Sequence, residues 1–199
     1  NLMALSIGSK KVKAAVFISG TGSNLKSLIK FSKLKKSPIS IEMIVSNNPK
    51  SKGLVYGKIY KIRKEIFNFK KQSTTEKEIL HKLNKKKINL ICLAGFMKIL
   101  SKSFICNFKG QIINIHPSLL PKYKGLNTHE RAIKNKDSYS GCTVHFVTSK
   151  LDSGKIINQK KVKINKKDIP KTLAKKILDQ EHKLYPKAIL KIFNLKKKK

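Results

Sequence analysis

Three short apolar runs constrain the fold of this chain more than any other feature of its sequence. Lys13–Ser19, Ile39–Ser46 and Ile88–Ala94 show no helical period, which predicts buried strands of a parallel sheet. Segments with helical spacing of apolar residues lie between these runs, as crossover connections between parallel strands require. We therefore predict an α/β fold with a Rossmann-like, mostly parallel sheet flanked by helices.

The remaining segments predict further elements and one domain. No internal repeat or shift of composition marks a boundary, so we expect a single domain over residues 1–199, with a loose leader at 1–12 and a loose tail at 194–199. Late antiparallel strands are expected because the connection between them is short. The further predicted elements are a helix over Lys52–Ile62 with Leu54, Val55, Ile59 and Ile62 facing inward, a short strand over Ile66–Phe69, a helix after Ser73, a strand from Gly110, a helix from near Thr128, strands over Thr143–Val147 and Lys155–Ile164, and a C-terminal helix from about Ile169 to Phe193.

The charge of the chain is extreme, with 46 Lys and Arg against 10 Asp and Glu and a formal net charge of +36. Only Arg63 and Arg131 are arginines, whereas readers of bases and phosphates rely on the planar fork of arginine. The lysines are spread along the whole chain, which favours a compositional bias over a dedicated nucleic-acid surface. We expect non-specific binding to nucleic acid at low salt and no specific nucleic-acid partner.

The cysteines predict the compartment. Cys92, Cys106 and Cys142 are odd in number and scattered, without a CxxC pair or a histidine at metal-ligand spacing. This predicts reduced thiols in a cytoplasmic protein and no bound metal.

No apolar run is long enough to span a bilayer, and lysines follow Asn1–Ile7 rather than precede it, unlike a secretory signal. We therefore expect no membrane partner.

A glycine-rich segment, Ser19–Asn24, lies between the first strand and an amphipathic helix with Leu25, Leu28 and Ile29 on one face. Such a turn exposes backbone N–H groups beside the positive end of a helix dipole, which suits phosphate. Its spacing matches neither GxGxxG nor the Walker lysine pattern, so it indicates neither a dinucleotide nor an NTP. These residues alone leave an anion site and a plain tight turn both open.

The segment Asn114–Pro121 carries the polar residues of greatest chemical interest. In an extended chain Asn114 and His116 point to the same side, and Pro117 ends the ladder because it has no N–H to donate. An asparagine N–H can stabilise an oxyanion and a histidine can move protons, so the pair suits acyl transfer. A histidine beside proline is more often a turn or core residue, so the pair alone does not identify a site.

Several motifs occur together along the chain: Gly20–Asn24, Ala94–Met97, Asn114–Pro121, Leu151–Gly154 and Gln180–His182. In this combination the sequence resembles the phosphoribosylglycinamide formyltransferase family of folate-dependent enzymes, from about Lys13 to about Phe193. The Asn-x-His-x-Ser-Leu-Leu-Pro run with a later Leu-Asp-x-Gly is characteristic of folate-type formyltransferases. The glycine loop and the Gln-Glu-His run narrow the resemblance to the glycinamide branch.

The resemblance implies an activity and a role for individual residues. It implies transfer of the formyl group of 10-formyltetrahydrofolate to the amine of glycinamide ribonucleotide in purine biosynthesis. Asn114, His116 and Asp152 match the catalytic trio, in which Asn114 donates to the oxyanion, His116 acts as an imidazolium and Asp152 favours its charge. The implied substrate-binding residues are Gly22, Ser23, Asn24, Leu25, Lys26 and Glu181. The implied walls of the folate pocket are Met97, Lys98, Ile99, Leu100, Asn114, Thr148, Ser149, Lys150, Leu151 and Asp152.

The same chemistry limits the partners that we expect. An amine is already a competent nucleophile, so the reaction requires no metal. We expect small-molecule substrates and a monomer or a homodimer.

The sequence departs from the family pattern at two basic positions, which bears on substrate affinity rather than on the type of reaction. Lys98 stands where relatives often have arginine, and Lys70–Gln72 lacks an arginine expected there. Lysine supplies charge but not a bidentate hydrogen bond.

Other polar residues near these motifs have simpler interpretations. His145 is predicted to pack near the site without acting in it, because its strand position suits packing. His81 and His129 are predicted as surface residues on helices. Without the resemblance, Asp152 is a turn former and Glu181 is an ordinary exposed helix residue.

Three alternatives share part of this pattern. A methionyl-tRNA formyltransferase has the same Asn-x-His and Leu-Asp-x-Gly runs and would carry a further C-terminal domain, whereas this sequence stops after the predicted last helix. A formyltetrahydrofolate deformylase would carry an additional N-terminal domain. A basic nucleic-acid-binding protein is supported by net charge alone, since aromatic residues make up 7% and are not interleaved with basic ones.

Overall fold

The computed structural model describes residues 11–197 and the side chains of residues 11–193. Most of the predicted leader, residues 1–10, and the last two residues of the predicted tail lie outside the described residues. None of the helices within 11–197 combines the length and the apolarity that a membrane span needs. The elements in chain order are β1 (Val12–Ile18), α1 (Ser23–Ser32), β2 (Ile39–Ser46), α2 (Val55–Ile59), β3 (Arg63–Ile66), α3 (Gln72–Lys85), β4 (Leu90–Leu93), α4 (Lys102–Asn107), β5 (Gln111–His116), α5 (Thr128–Lys134), β6 (Tyr139–Phe146), β7 (Ile156–Lys163) and α6 (Pro170–Lys197).

The seven strands form one sheet in the order β3-β2-β1-β4-β5-β6-β7. The pairs within β3-β2-β1-β4-β5 are parallel, whereas β5–β6 and β6–β7 are antiparallel. This confirms the predicted Rossmann-like, mostly parallel sheet with late antiparallel strands and a C-terminal helix. The strand order reverses between β1 and β4, and open α/β sheets bind ligands at the carboxyl ends of such a pair.

The sheet buries one apolar cluster on each face, because side chains alternate along each strand. On β1, Ala14, Val16 and Ile18 pack into the cluster under α1 and α6, whereas Ala15 and Phe17 pack into the cluster under α3 and α4. All five are fully buried, as the continuous apolar run predicts for a strand covered on both sides. Full burial of a large apolar side chain contributes about 1.5–3 kcal/mol, so this strand is a principal source of stability.

The segment between β2 and β3 differs from its prediction. Instead of a helix over Lys52–Ile62, it holds a short 3-10 turn followed by the five-residue α2. Val55 and Ile59 are 50% and 60% exposed rather than inward. The buried face of α2 carries Gly57, where a Cβ would lie 2.2 Å from the Cγ of Lys64, so the helix packs through its glycine. The strand that follows is Arg63–Ile66, three residues earlier than predicted.

Other element boundaries differ by a few residues, and one helix is absent from the prediction. The six-residue α4 supplies the crossover between β4 and β5, but it buries only Phe104, so the sequence carries no helical period there.

The predicted loose leader extends too far. The strand β1 begins at Val12, and the ammonium of Lys11 donates to the carbonyl oxygen of Ser32 at 2.8 Å. The backbone of residues 194–197 continues α6, where a loose tail is predicted.

Tyr185 of α6 ties that helix to two strands of the sheet. Its side chain is fully buried, and its hydroxyl lies 2.9 Å from the carbonyl oxygen of Leu93 and 3.2 Å from that of Ile113. Leu93 is the last residue of β4, and Ile113 directly precedes Asn114 in β5. One hydroxyl therefore holds the C-terminal helix against the strand ends that deliver the polar residues described below.

We expect Tyr185→Phe to lower the free energy of unfolding by about 1–3 kcal/mol, because the buried carbonyls lose their donor while the ring still fills its space. Urea-induced unfolding of both proteins measures the difference. Tyr139→Phe, which removes a hydroxyl from an exposed ring, is the matched control. An equal loss in the two variants would contradict the bridging role.

Candidate active site

The end of β5 carries two polar side chains into a cavity of about 950 Å³. Asn114 and His116 line this cavity, whereas Ile113 and Ile115 pack into the core on the other side of the strand. This is the arrangement that the two-residue period of a strand predicts. Strand pairing ends at His116, and Pro117 follows it.

The antiparallel neighbour β6 places His145 directly opposite Asn114. The Nδ1 of His145 lies 2.8 Å from the carbonyl oxygen of Phe146, which can only accept, so Nδ1 carries the hydrogen. Its Nε2 then accepts from the Nδ2 of Asn114 at 3.3 Å. This contact fixes the plane of the Asn114 amide and leaves its second N–H for a ligand. The predicted packing role of His145 does not include this contact.

Asp152, from the loop between β6 and β7, reaches both imidazoles. Its Oδ2 lies 3.4 Å from the Nδ1 of His116, and its Oδ1 lies 3.6 Å from the Nε2 of His145. The N–H of Gly125 donates to Oδ2 at 2.9 Å. Burial by itself raises the pKa of Asp152, but the hydrogen bond from the Gly125 N–H is among the contacts that bring that pKa below its usual value. Asp152 is therefore a carboxylate at neutral pH.

His116 rests as a neutral imidazole. Its Nε2 lies 2.8 Å from the carbonyl oxygen of Tyr123, so Nε2 carries a hydrogen and Nδ1 holds the lone pair. Burial lowers the pKa of His116, and the Tyr123 carbonyl and the charge of Asp152 only partly oppose that fall. Protonation of Nδ1 would place the positive charge of the imidazolium beside the Asp152 carboxylate. The geometry thus suits a group that takes up and releases a proton.

The loop after β1 also lines the cavity, through Gly22, Ser23 and Asn24. Gly22 has a φ of 72° and precedes α1, a left-handed conformation that glycine adopts without steric cost. A Cβ on Gly22 would lie 2.7 Å from the Cα of Gly53, so the two backbones are in direct contact. The first turn of α1 leaves its N–H groups without intrahelical acceptors, an arrangement that suits an anion.

Two predicted substrate residues do not line this cavity. Leu25 is fully buried in the core, and the ammonium of Lys26 lies 5.8 Å from the centre of the Tyr56 ring. Each step along a helix rotates the side chain by about 100°, so the positions after Asn24 turn away from the loop. The motif match extends into the helix, but the cavity wall ends at Asn24.

Glu181 reaches the cavity from α6 and is buried against α1. The Nδ2 of Asn24 donates to its Oε2 at 2.7 Å. Burial raises the pKa of Glu181 to about 7, although the bond from Asn24 opposes the rise. Glu181 therefore exchanges its proton near neutral pH, unlike the exposed helix residue that the sequence alone predicts.

The predicted folate-pocket residues all line the same cavity, on the loops after β4 and β6. They are Met97, Lys98, Ile99 and Leu100 on the first loop and Thr148, Ser149, Lys150, Leu151 and Asp152 on the second, with Asn114 between them. Met97 and Ile99 are 64% and 66% exposed. Such large exposed apolar side chains beside a cavity mark a binding surface.

Part of the cavity wall is absent from the sequence prediction. On α6, Lys171, Ala174 and Leu178 precede Glu181 at spacings of three and four residues and form one lining face. His129 also lines the cavity and is half-buried, with no partner for its Nδ1 among residues 11–197, so its predicted surface position is wrong. The helical spacing on α6 was a usable signal, whereas the position of His129 depends on tertiary packing.

The three cysteines do not contribute to this chemistry. Cys92 and Cys142 are buried and Cys106 is exposed, and all three are free thiols. Burial raises the pKa of Cys92 and of Cys142 to about 12, so neither is a nucleophile at neutral pH. In the described part of the chain no three His, Cys, Asp or Glu side chains are grouped to hold a metal ion.

Comparison with known proteins gives the class of this site. The chain matches the formyl transferase family model over residues 12–189. Phosphoribosylglycinamide formyltransferase of Haemophilus influenzae is 41% identical over 180 residues, covering 89% of this chain and 85% of that protein. The human trifunctional purine biosynthetic protein adenosine-3 is 39% identical over 187 residues, which cover 92% of this chain and 18% of that protein. The crystal structure of phosphoribosylglycinamide formyltransferase from Brucella melitensis superposes with a TM-score of 0.87 at 40% identity, covering 92% of this chain and 96% of that one.

The chain belongs to the formyl transferase family, and the resemblance inferred from its motifs is confirmed. It spans less than a fifth of the trifunctional relatives and most of the length of the shorter one. Family membership favours formyl transfer over the alternative of an unrelated basic nucleic-acid-binding protein.

We expect the raised pKa of Glu181 to make stability depend on pH. Between its ordinary pKa of 4.5 and about 7 the folded state holds a proton that the unfolded state releases, so this contribution to stability declines as pH rises. Glu181→Gln should therefore be more stable than the parent at pH 8, by up to about 3 kcal/mol, and nearly equal to it near pH 4. Urea-induced unfolding at both pH values measures this, with exposed Glu130→Gln as control. A constant difference between the parent and Glu181→Gln would contradict the titration.

Proposed function

We propose that this chain transfers the formyl group of 10-formyltetrahydrofolate to the primary amine of glycinamide ribonucleotide in purine biosynthesis. The observation that carries this proposal is the meeting of Asn114, His116 and Asp152 in one cavity that the Gly22 loop and Glu181 also line. A donor for an oxyanion, a group that can carry a proton and a candidate phosphate site therefore line the same cavity.

The two substrates bind at different parts of the cavity wall. The phosphate of the ribonucleotide lies on the N–H groups of Gly22, Ser23 and Asn24, where the dipole of α1 favours negative charge. Glu181 lies beside Asn24 and holds the glycinamide part by accepting from its N–H groups. The pterin lies between the loops after β4 and β6, where apolar side chains and the Asn114 amide meet.

The acyl step follows from this placement. The amine nitrogen attacks the formyl carbon, and the carbonyl electron pair moves to oxygen. The free N–H of Asn114 donates to that oxyanion, while the other N–H remains on His145. The donor is held in place before the charge develops, which is what makes such groups effective.

The proton then has to move from the attacking nitrogen to the leaving one. Neutral His116 accepts the ammonium proton at Nδ1 and becomes an imidazolium, and Asp152 stabilises its charge at 3.4 Å. The imidazolium gives the proton to N10 of the folate as the bond between N10 and the formyl carbon breaks. The reaction needs no net proton and no metal, because the amine is itself the nucleophile.

We further infer the setting in which the protein works. The three free thiols support a cytoplasmic location, since disulfides are rare in a reducing compartment. The cavity supports small-molecule substrates, with no specific nucleic acid and no membrane as partner. The chain acts as a monomer or a homodimer.

The proposal is tested by formyl transfer to glycinamide ribonucleotide, with methionyl-tRNA as the competing acceptor. We expect transfer to the ribonucleotide, and Asn114→Ala should lower kcat by about 10²–10³ with little change in KM, because it removes a donor to the transition state. Asn107→Ala, on the exposed side of α4, is the matched control. Undiminished kcat in Asn114→Ala would refute the oxyanion role, and transfer to methionyl-tRNA alone would refute the substrate.

Asp152→Asn tests the support that the carboxylate gives to His116. The negative charge raises the pKa of His116 against the effect of burial, so its removal should lower that pKa further. NMR titration of the imidazole, assigned by its loss in His116→Asn, measures the shift. The kcat should fall as well, since the imidazolium formed during the reaction loses its partner. A pKa of His116 that is unchanged or higher in Asp152→Asn would contradict this role.

A further inference from the structure

A buried carboxylate lies behind the loop after β4 and has no part in the proposed reaction. Glu76 of α3 is 4% exposed and does not line the candidate active site. Carboxylates are almost never fully buried unless they are paired. In the described part of the chain, no lysine, arginine or histidine forms an ion pair with Glu76. Its partners are hydrogen-bond donors, and they lie at the end of that loop.

The hydrogen bonds to Glu76 come from Ser101 and Gln72. Its Oε1 accepts from the N–H of Ser101 and from the Nε2 of Gln72, each at 2.9 Å. The Ser101 hydroxyl donates its one hydrogen to Oε2, while its oxygen accepts from the N–H of Phe104 and caps α4. The Nε2 of Gln72 also donates to the carbonyl oxygen of Ile99 at 2.9 Å. Both Ile99 and Ser101 are therefore tied to α3.

The helix that carries Glu76 holds it in place. Glu76 shares the buried face of α3 with Ile79 and Leu83, which pack into the apolar cluster under α3 and α4. The spacing from Ser73 to Glu76 is that of a capping box, but α3 begins before Ser73, so the carboxylate does not serve as a cap. Glu76 is thus a fixed point whose hydrogen bonds serve the loop after β4.

The two ends of this loop are fixed by different contacts. At its start, the N–H of Met97 donates to the hydroxyl of Ser19 at 2.8 Å, and the rings of Phe96 and Phe17 pack edge to face at 5.3 Å. At its end, the hydrogen bonds to Glu76 fix the backbone just before α4. The residues between these two points line the cavity and belong to no helix or strand. Their arrangement therefore depends on both attachments.

We propose that Glu76 is a positioning residue, which holds the loop after β4 in the conformation that binds the formyl donor. The inference rests on the proposed function, which places the pterin against this loop. Glu76 does not contact the ligand and acts through Ser101 and the loop backbone. A loop that already has its bound conformation does not have to be ordered by the ligand, and a loop that has it only part of the time binds more weakly by that fraction.

Glu76→Gln tests this role, because glutamine keeps the size of the side chain but replaces one acceptor oxygen by an NH2 group. We expect the dissociation constant for tetrahydrofolate, measured by calorimetric titration, to rise about tenfold, as for a loop that is competent about a tenth of the time. The KM for 10-formyltetrahydrofolate should rise by a similar factor. The kcat and the KM for glycinamide ribonucleotide should stay within about twofold, since the loop binds the donor alike in the ground and transition states.

Two controls separate positioning from stability. Glu78→Gln makes the same chemical change at an exposed position of α3 and should leave the donor KM unchanged. Loss of buried hydrogen bonds also destabilises the fold, but a protein that is only less stable loses active enzyme, which lowers kcat and leaves the donor KM constant. Amide hydrogen exchange of residues 97–101 in the unliganded protein should be faster in Glu76→Gln than in the parent.

Two further variants test the route of the effect. Gln72→Ala changes an exposed side chain, so the core is undisturbed, and loss of its bonds to Ile99 and Glu76 should weaken tetrahydrofolate binding about threefold. Ser101→Ala should weaken binding in the parent but have little further effect in Glu76→Gln, because the two side chains act as one unit.

Three results would overturn the proposal: an unchanged tetrahydrofolate affinity in Glu76→Gln, an equal rise of the donor KM in Glu78→Gln, or a fall of kcat at constant donor KM. If Glu76→Gln does not fold, an unchanged affinity in Gln72→Ala would overturn it in the same way.

Binding and turnover distinguish this inference from the proposed function. Weaker tetrahydrofolate binding in Glu76→Gln, in a protein that transfers no formyl group to glycinamide ribonucleotide, would leave the positioning role and remove the function. Formyl transfer with the same donor KM in the parent and in Glu76→Gln would leave the function and remove the positioning role. Failure of the parent protein to bind tetrahydrofolate would refute both.

Discussion

The antiparallel pairing of β5 with β6 determines what this site can do. It places the ring of His145 opposite Asn114, so the amide that faces the cavity is oriented by its cross-strand neighbour. The chain then turns beyond β6 and returns Asp152 to both imidazoles. Since successive side chains of a strand alternate, a slip of one residue in this pairing would send His145 to the other face of the sheet and dismantle the cluster.

The C-terminal helix α6 supplies the second constraint. Glu181 and Tyr185 lie one turn apart on it: Glu181 lines the cavity, and the hydroxyl of Tyr185 lies on the carbonyls of Leu93 and Ile113. The same helix also packs its apolar residues against β6, β7 and α1. Separation of α6 from the sheet would therefore loosen the core and both walls of the cavity together, which links the geometry of the site to global stability.

The sequence predicts those parts that depend on local periodicity. Apolar runs locate the central strands, and the two-residue period brings Asn114 and His116 to one side. The helix after β2 is shorter than predicted, and Val55 and Ile59 lie outward because Gly57, not these apolar residues, makes the close contact with the sheet. Leu25 and Lys26 fall outside the cavity since a helix rotates them away from the loop. The contact of His145 depends on cross-strand register, which no single stretch of sequence encodes.

Where Gly22 contacts Gly53, the wall of this site cannot carry a side chain, whereas other parts of the wall consist of side chains. Neither position has room for a side chain, so this part of the cavity wall consists of backbone, and substitution there changes its shape rather than its chemistry. The loops Met97–Leu100 and Thr148–Asp152 present side chains to the same cavity. Substitutions in these two loops can thus change the chemistry of the cavity one residue at a time, whereas the part of the wall formed by Gly22 and Gly53 does not allow such stepwise change.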